Sequence, residues 1–286
     1  MKIIHYQGDL HENYPFTVTT YNWTKGFLRR LFSRPDAWKR KEGEYLGYAD
    51  RIIVLSSEFR DLMLKQNPAL VYDNFSVLPN VPDLSVRGRD KGNSVNKLFK
   101  NDSPTIFYYG VIAERRGIFD ALKVFTELVN EKHQVNFLLI GPVDKMDRPL
   151  FSKYINRDEL TGKIHHIPWI ESEEFPDYLE ICDICIAPFH KNPQHESGVA
   201  NKIYEYMLGG KPIIASDCKP QQNLFEGYNC GLIFRDLQEF HDSIITLLND
   251  RGLRETLGNN GEKTILANFN TEIVKNHLIN LYNHLP

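Results

Sequence analysis

The amino-acid sequence predicts an α/β fold built on mostly parallel sheets, and three observations lead there. Short apolar runs alternate with amphipathic stretches along the whole chain, as they do where each strand is followed by a crossover helix that returns the chain to a parallel neighbour. The stretches between the runs have helical period: Ile118, Leu122, Phe125 and Val129 recur at three- to four-residue spacing, which sets one apolar stripe against a sheet. The polar tract DLSVRGRDKGNSVNKLFKNDS between Pro82 and Pro104 lacks a strong period and reads as a linker. It divides a first part (1–82) from a second (104–286), with 83–103 between them.

In chain order, strands are expected at IIHY (3–6), RIIVLS (51–56) and FSVLP (75–79) in the first part. The second part has TIFYYG (105–110), VNFLLIG (135–141), ICIAP (184–188) and PIIAS (212–216), with KIHHIP (163–168) and GLIF (231–234) as weaker candidates. Their β-branched and aromatic side chains suit a sheet interior, and core is the plain reading of all of them. A helix is expected from about Asn201 to Leu208, stopped by Gly209 or Gly210, with Pro212 opening the next strand.

The 286 residues are 42% hydrophobic and 25% charged, with 18 Gly and 15 Pro. This excludes collagen-like, low-complexity and strongly disordered classes and suits one large or two ordinary domains. No segment approaches the roughly 20 successive apolar residues of a spanning helix, and the opening MKIIHYQGDLHENYP is too polar for a secretory signal, so a cytoplasmic chain is expected. Cys182, Cys185, Cys218 and Cys230 are too few for a disulfide framework. Cys182 and Cys185 form a CxxC that runs into the apolar ICIAPF with no second pair at zinc-site spacing, so buried thiols are expected and no metal site. The net charge of −3 hides an asymmetry, +5 over residues 1–100 and −8 over 101–286. Anionic partners should meet the first part, while the acidic second half argues against nucleic acid.

Ligands of open α/β sheets bind beyond the carboxyl ends of the strands, where helix N-termini offer free N–H groups. GVIAERRG (110–117) fits, with Arg115 and Arg116 after a strand and Gly117 opening a helix. HESGVANKIYEYM (195–207) also fits, with Ser197 and Gly198 in a tight turn before a helix. Lys202 and Glu205, three apart, share a face of that helix near its start. A lysine there opposes the helix dipole, which makes sense if a phosphate is bound; the plain alternative is a surface ion pair. Both side chains are expected to be accessible. There is no GxGxxG after a strand, Lys211 is followed by Pro212 and not by Ser or Thr, and no DxD occurs. Dinucleotide oxidoreductases, P-loop chemistry and metal-dependent GT-A transfer are therefore disfavoured.

NKIYEYMLGGKPIIASD, followed by NCGLIF (229–234) and the helical tail SIITLLNDRGLRETLGNNGEKTI, resembles the donor-binding domain of retaining nucleotide-sugar glycosyltransferases of the GT-B fold, family 4. Upstream, TIFYYGVIAERRGIFDALKVF is similar to that domain's phosphate-contacting first loop, and ADRIIVLSSEFRDLML with FSVLPNVPD is similar to the last units of the acceptor domain. IIHYQGDLHENYP resembles the strand and His-bearing loop that come shortly before. The resemblance implies Rossmann-like sheets, with 1–82 as a partial acceptor-side domain and 104–286 as a donor domain with C-terminal helices. It implies transfer of a sugar from a nucleotide-diphosphate donor to a hydroxyl of a saccharide or lipid-linked acceptor, without a cofactor. Arg116 and Lys202 would contact the diphosphate, with Gly117 at the loop's end, and Glu205 would hold the ribose. Backbone N–H groups of Ser197, Gly198, Val199 and Ala200 would face phosphate or sugar, and His11 would lie near the transferring sugar. The plain reading of His11 is an exposed loop histidine beside Glu12.

The sequence departs from the family pattern at two places. Val111 stands where many relatives have Arg, leaving one phosphate contact absent or supplied by Arg115. The first glutamate of the usual motif falls on Ser197, with Glu196 one place off register. Only three strands are read in residues 1–82, so the chain is expected to be truncated, a split-gene product or one of two chains, with a homo-oligomer or partner chain completing the first sheet. The basic and aromatic tract KGFLRRLFSRPDAWKRK (25–41) suggests peripheral docking on an anionic membrane, against a helix with a solvated basic rim. The rival functions are a sugar-nucleotide epimerase of related fold and a non-catalytic nucleotide-sugar-binding remnant or subunit.

Overall fold

The computed structural model describes residues 3–5, 41, 43–82, 84 and 98–284. His11 and, apart from Lys41, the tract 25–41 lie outside them, as does most of 83–103. The chain forms two units: Met1–Asn80 with Lys191–Val199 and Val274–Pro286, and Val81–His190 with Ala200–Ile273.

In the first unit, strands β1 (Ile3–His5), β2 (Arg51–Val54) and β3 (Phe75–Val77) form a parallel sheet in that order among the described residues. Ile52 pairs with Ile4 on one side and Phe75 on the other. Helix α1 (Ser57–Gln66) begins at Ser56, whose hydroxyl accepts a hydrogen bond from the Phe59 N–H at 3.0 Å, satisfying one of the donors that every helix start leaves open. Phe59 and Met63 of this helix pack with Leu46, Ile52, Val54 and Leu70 into a small core.

Among the described residues the second unit has six parallel strands: β4 (Thr105–Tyr109), β5 (Asn136–Ile140), β6 (Ile164–Ile167), β7 (Ile184–Ala187), β8 (Ile213–Ser216) and β9 (Gly231–Phe234). They lie in the order β6-β5-β4-β7-β8-β9. Counted from the unit's first strand this is 3-2-1-4-5-6, the doubly wound Rossmann order, whose direction reverses between β4 and β7. Helix α2 (Ile118–Asn130) follows β4 and buries Ile118, Leu122, Phe125 and Val129, as their spacing predicts. Helices α3 (Arg148–Ile155), α4 (Phe175–Glu180), α5 (Asn201–Leu208) and α6 (Lys219–Tyr228) follow the next four strands in turn.

Next come α7 (Leu237–Asn249), α8 (Arg251–Asn268) and α9 (Thr271–Asn283). The tail breaks at Asp250, whose carboxylate caps α8 by accepting from the Leu253 N–H at 2.8 Å. Residues 98–103, from the tract read as linker, pack on the second sheet: Phe99 meets His165 edge-on, and Asn101 and Asn136 exchange side-chain hydrogen bonds of 2.8 and 3.3 Å. All four cysteines are buried free thiols, and burial pushes Cys230 up to about 12 and Cys185 well above the ordinary thiol value. Lys211 donates to the Glu180 and Cys182 carbonyls at 2.9 and 2.6 Å, closing the end of α4.

Candidate functional site

The reversal of strand order separates the loops that leave β4 and β7, and the candidate residues of the second unit gather there. Gly110, at φ 128°, ends β4, and a Cβ at that position would stand 2.8 Å from Lys202 Nζ. A short 3-10 turn, Glu114–Arg116, then leads to Gly117 at φ 70°, the N-cap of α2. A Cβ on Gly117 would fall 1.5 Å from the Pro188 carbonyl oxygen after β7, so the two loops approach as closely as only glycine permits. Val111 contributes its carbonyl, which accepts from the Tyr108 hydroxyl at 2.8 Å. Arg115 is paired with Asp144 at 3.2 Å.

Helix α5 supplies the other half. Its N-cap is Ala200, which offers no side-chain acceptor, and its first turn contains no acidic residue. The first N–H groups therefore lack the usual side-chain partner, and the positive dipole end is not neutralised within the helix. Lys202 corrects the expectation of an accessible side chain: it is only 8% exposed. Its Nζ lies 3.7 Å from the Tyr108 ring centroid and 5.2 Å from that of Phe189, and it has no hydrogen-bond partner. Burial holds its pKa well below the ordinary lysine value, Arg116 lowers it further, and Glu205 pulls the other way. Arg116 lies with its guanidinium 5.5 Å from the Phe189 ring centroid and has an unpartnered buried Nε. Glu205 is half-buried, and its carboxyl is raised by desolvation against the opposing effect of Lys202.

The structure thus brings Arg116, Gly117, Lys202 and Glu205 together in the second unit, with Ala200 capping the helix that carries two of them. Ser197, Gly198 and Val199 belong to the first unit. Sequence reading missed Tyr108 and Phe189, the aromatic faces under the lysine, because aromatic residues in or just after a buried strand look like ordinary core. It also missed Tyr206, whose buried hydroxyl accepts from the Tyr109 N–H at 2.8 Å and ties α5 to β4. His190 Nε2 donates to the Asp120 carboxylate in the first turn of α2 at 2.7 Å, a pairing of residues 70 positions apart that no local pattern signals. Among the described residues, no cluster of three or more His, Cys, Asp or Glu could hold a metal ion.

A buried lysine amine and a buried arginine Nε without hydrogen-bond partners, beside a helix start with no side-chain cap and at the reversal point of a doubly wound sheet, form a site suited to an anion. Residues 90–264 match the family model of the glycosyl transferases group 1. The chain belongs to this family. Its curated relatives include the capsular polysaccharide biosynthesis glycosyltransferase CapM of Staphylococcus aureus, 25% identical over 187 residues that make up 64% of this chain and 47% of that protein. Another is the alpha-D-kanosaminyltransferase of Streptomyces kanamyceticus, 23% identical over 65% of this chain and 47% of its own length. The chain therefore spans about half the length of the curated relatives it matches. Among solved structures, the sucrose-phosphate synthase from Thermosynechococcus elongatus superposes with a TM-score of 0.76 at 20% identity, covering 99% of this chain and 67% of that one. Anabaena HepE, solved in complex with UDP and glucose, gives 0.76 at 15% identity over 99% of this chain and 71% of its own. The parallel-sheet α/β fold is of the GT-B type these glycosyltransferases share. No helix among the described residues is long and apolar enough to cross a membrane.

Proposed function

We propose that this glycosyltransferase binds a nucleotide-diphosphate sugar on its second unit and transfers the sugar to a hydroxyl of a saccharide or lipid-linked acceptor. The observation that supports this most is the buried, unpartnered Lys202 amine beside Arg116. Leaving a buried polar group unsatisfied is costly, and a diphosphate would relieve both side chains at once. The incoming anion would also raise the lysine pKa and favour its charged form where the leaving group develops charge. Glu205, one helical turn on, would accept hydrogen bonds from the ribose hydroxyls. The α5 N-terminus adds a dipole aimed at the same charge. Retention of configuration follows from the family alone, and HepE's complex with UDP and glucose makes a uridine donor the first to try.

The decisive experiment titrates UDP-sugars into the parent chain, Lys202→Ala and Glu205→Ala. Each variant should lose about 1.5–3 kcal/mol of donor affinity without a fall in thermal midpoint, and parental affinity in either would move the site elsewhere. Product analysis with labelled nucleotide sugars separates transfer or slow donor hydrolysis from donor isomerisation by an epimerase.

The remaining roles rest on resemblance: 1–82 as acceptor side, His11 near the transferring sugar, 197–200 facing the donor through backbone N–H groups, and a further strand-bearing copy or partner completing the first sheet. A cytoplasmic enzyme docking on anionic membrane through 25–41 completes the reading. Sedimentation with anionic but not neutral liposomes is the expected result, and equal sedimentation with both would overturn the docking.

A further inference from the structure

The end of β4 runs beside α5, and two contacts fix how these elements of the second unit meet. At one, a Cβ on Gly110 would stand 2.8 Å from Lys202 Nζ and 3.3 Å from its Cε. At the other, the Tyr109 N–H donates to the Tyr206 hydroxyl at 2.8 Å. Lys202 and Tyr206 are four residues apart on the helix, about one turn. Glu205 lies between them, on the face it shares with Lys202. The two contacts therefore hold Tyr109 against the stretch of α5 that carries the Glu205 carboxyl.

Tyr109 is the one residue of β4 that is not buried. Its ring packs on Phe175 with centroids 4.7 Å apart, and Phe175 stacks in turn on Tyr206 at 6.5 Å. Ring and backbone are thus both held by the same aromatic layer. The bond that ties β4 to α5 is made by the Tyr109 backbone N–H, so the Tyr109 hydroxyl has no part in it. Desolvation raises this phenol above its ordinary pKa, and the charge of Glu205 raises it further. At neutral pH the hydroxyl keeps its proton and can donate it.

A carboxylate can only accept hydrogen bonds, whereas a vicinal diol presents two O–H donors together with the lone pairs of two oxygens. Glu205 can answer the O–H groups but not the lone pairs. A tyrosine hydroxyl, which both donates and accepts, answers either. We infer that Tyr109 is a further nucleotide-binding residue: its hydroxyl acts with the Glu205 carboxylate on the ribose diol, so that this site tells a ribonucleotide from a deoxyribonucleotide. The inference rests on the donor reading given above, in which Glu205 holds the ribose.

The test uses the full chain and Tyr109→Phe, which keeps the ring on Phe175 and removes only the hydroxyl. Affinities are measured for UDP, ADP and GDP and for their 2′-deoxy and 3′-deoxy forms, because ribose recognition does not depend on the base. The parent should bind its preferred ribonucleotide more tightly than at least one deoxy form. Tyr109→Phe should weaken the ribonucleotide about three- to tenfold, leave that deoxy form at parental affinity, and keep the parental thermal midpoint. An unchanged ribo-to-deoxy ratio in the variant would overturn the inference and leave the donor reading standing. So would equal losses on both forms, the mark of a merely structural side chain, or a parent that does not discriminate between them. A parent that binds none of the nucleotides defeats the donor reading itself, and the role of Tyr109 falls with it.

Discussion

The two sheets are made from similar apolar runs, yet they bury them differently. In the second unit the central strands β5, β7 and β8 are buried at every position, and only the edge strands β6 and β9 are half-exposed along most of their length. In the first unit β2 reaches that state over Ile52–Val54, while β3 is half-buried throughout. The difference follows from neighbours. A parallel strand is fully buried only where it has strands on both sides and helices on both faces, and four of the six strands of the second sheet are interior, against one of the three described in the first. Burial in this chain is thus set by rank within the sheet, and the larger sheet provides the rigid base on which an unpartnered lysine can be kept.

The largest test of that contrast is core truncation. Phe125→Ala, in a side chain 1% exposed and packed on Phe137, should cost about 3–5 kcal/mol, read by denaturant unfolding. Phe59→Ala, equally buried in the first unit, should cost less because fewer buried neighbours surround it and the site can collapse more completely. Equal losses would break the contrast.

A smaller effect of opposite sign is expected at the site. Lys202→Met removes a buried cationic group that has no partner in the free chain, and should raise stability by about 1 kcal/mol or more while donor affinity falls. The lysine's native pKa is depressed by burial, so below the ordinary value of about 10.4 the unfolded chain binds more protons than the folded one. The cost of keeping Lys202 is therefore greatest at low pH and fades as pH rises toward that value. The gain from the Met variant should shrink in parallel, as a thermal-midpoint series against pH will show.

The smallest effect lies at the outer face of the second unit. His241 Nε2 meets Glu131 at 2.9 Å and its Nδ1 meets Asp242 at 3.3 Å. Burial lowers its pKa, but hydrogen bonds to Asp242 and Glu131 outweigh it, and the net shift is upward. A raised native pKa gives stability that is fully present below the unfolded value of about 6.5 and is lost as pH climbs through the native one. His241→Asn should cost under about 1 kcal/mol at pH 5.5 and less at pH 8.5. A larger loss at high pH would reverse the assignment.

Much of this was readable before any coordinates. The strands at 51–56, 105–110, 135–141 and 212–216, and the stripe from Ile118 to Val129, follow from period alone, because a strand or helix must turn its apolar residues to one face whatever lies opposite. The pairing of Lys202 with Glu205 on one face of α5 is equally local. Helix geometry also explains why a cation at an uncapped N-terminus suggests an anionic ligand. The tertiary structure alone decided that Lys202 sits buried over Tyr108 and under the influence of Arg116, that the Gly117 loop touches Pro188, and that the Ser56 hydroxyl meets the Ser197 carbonyl. Each depends on groups tens of residues apart that meet only when strand order is fixed. Strand order in turn follows from which apolar faces cover one another, a long-range choice that local period does not encode.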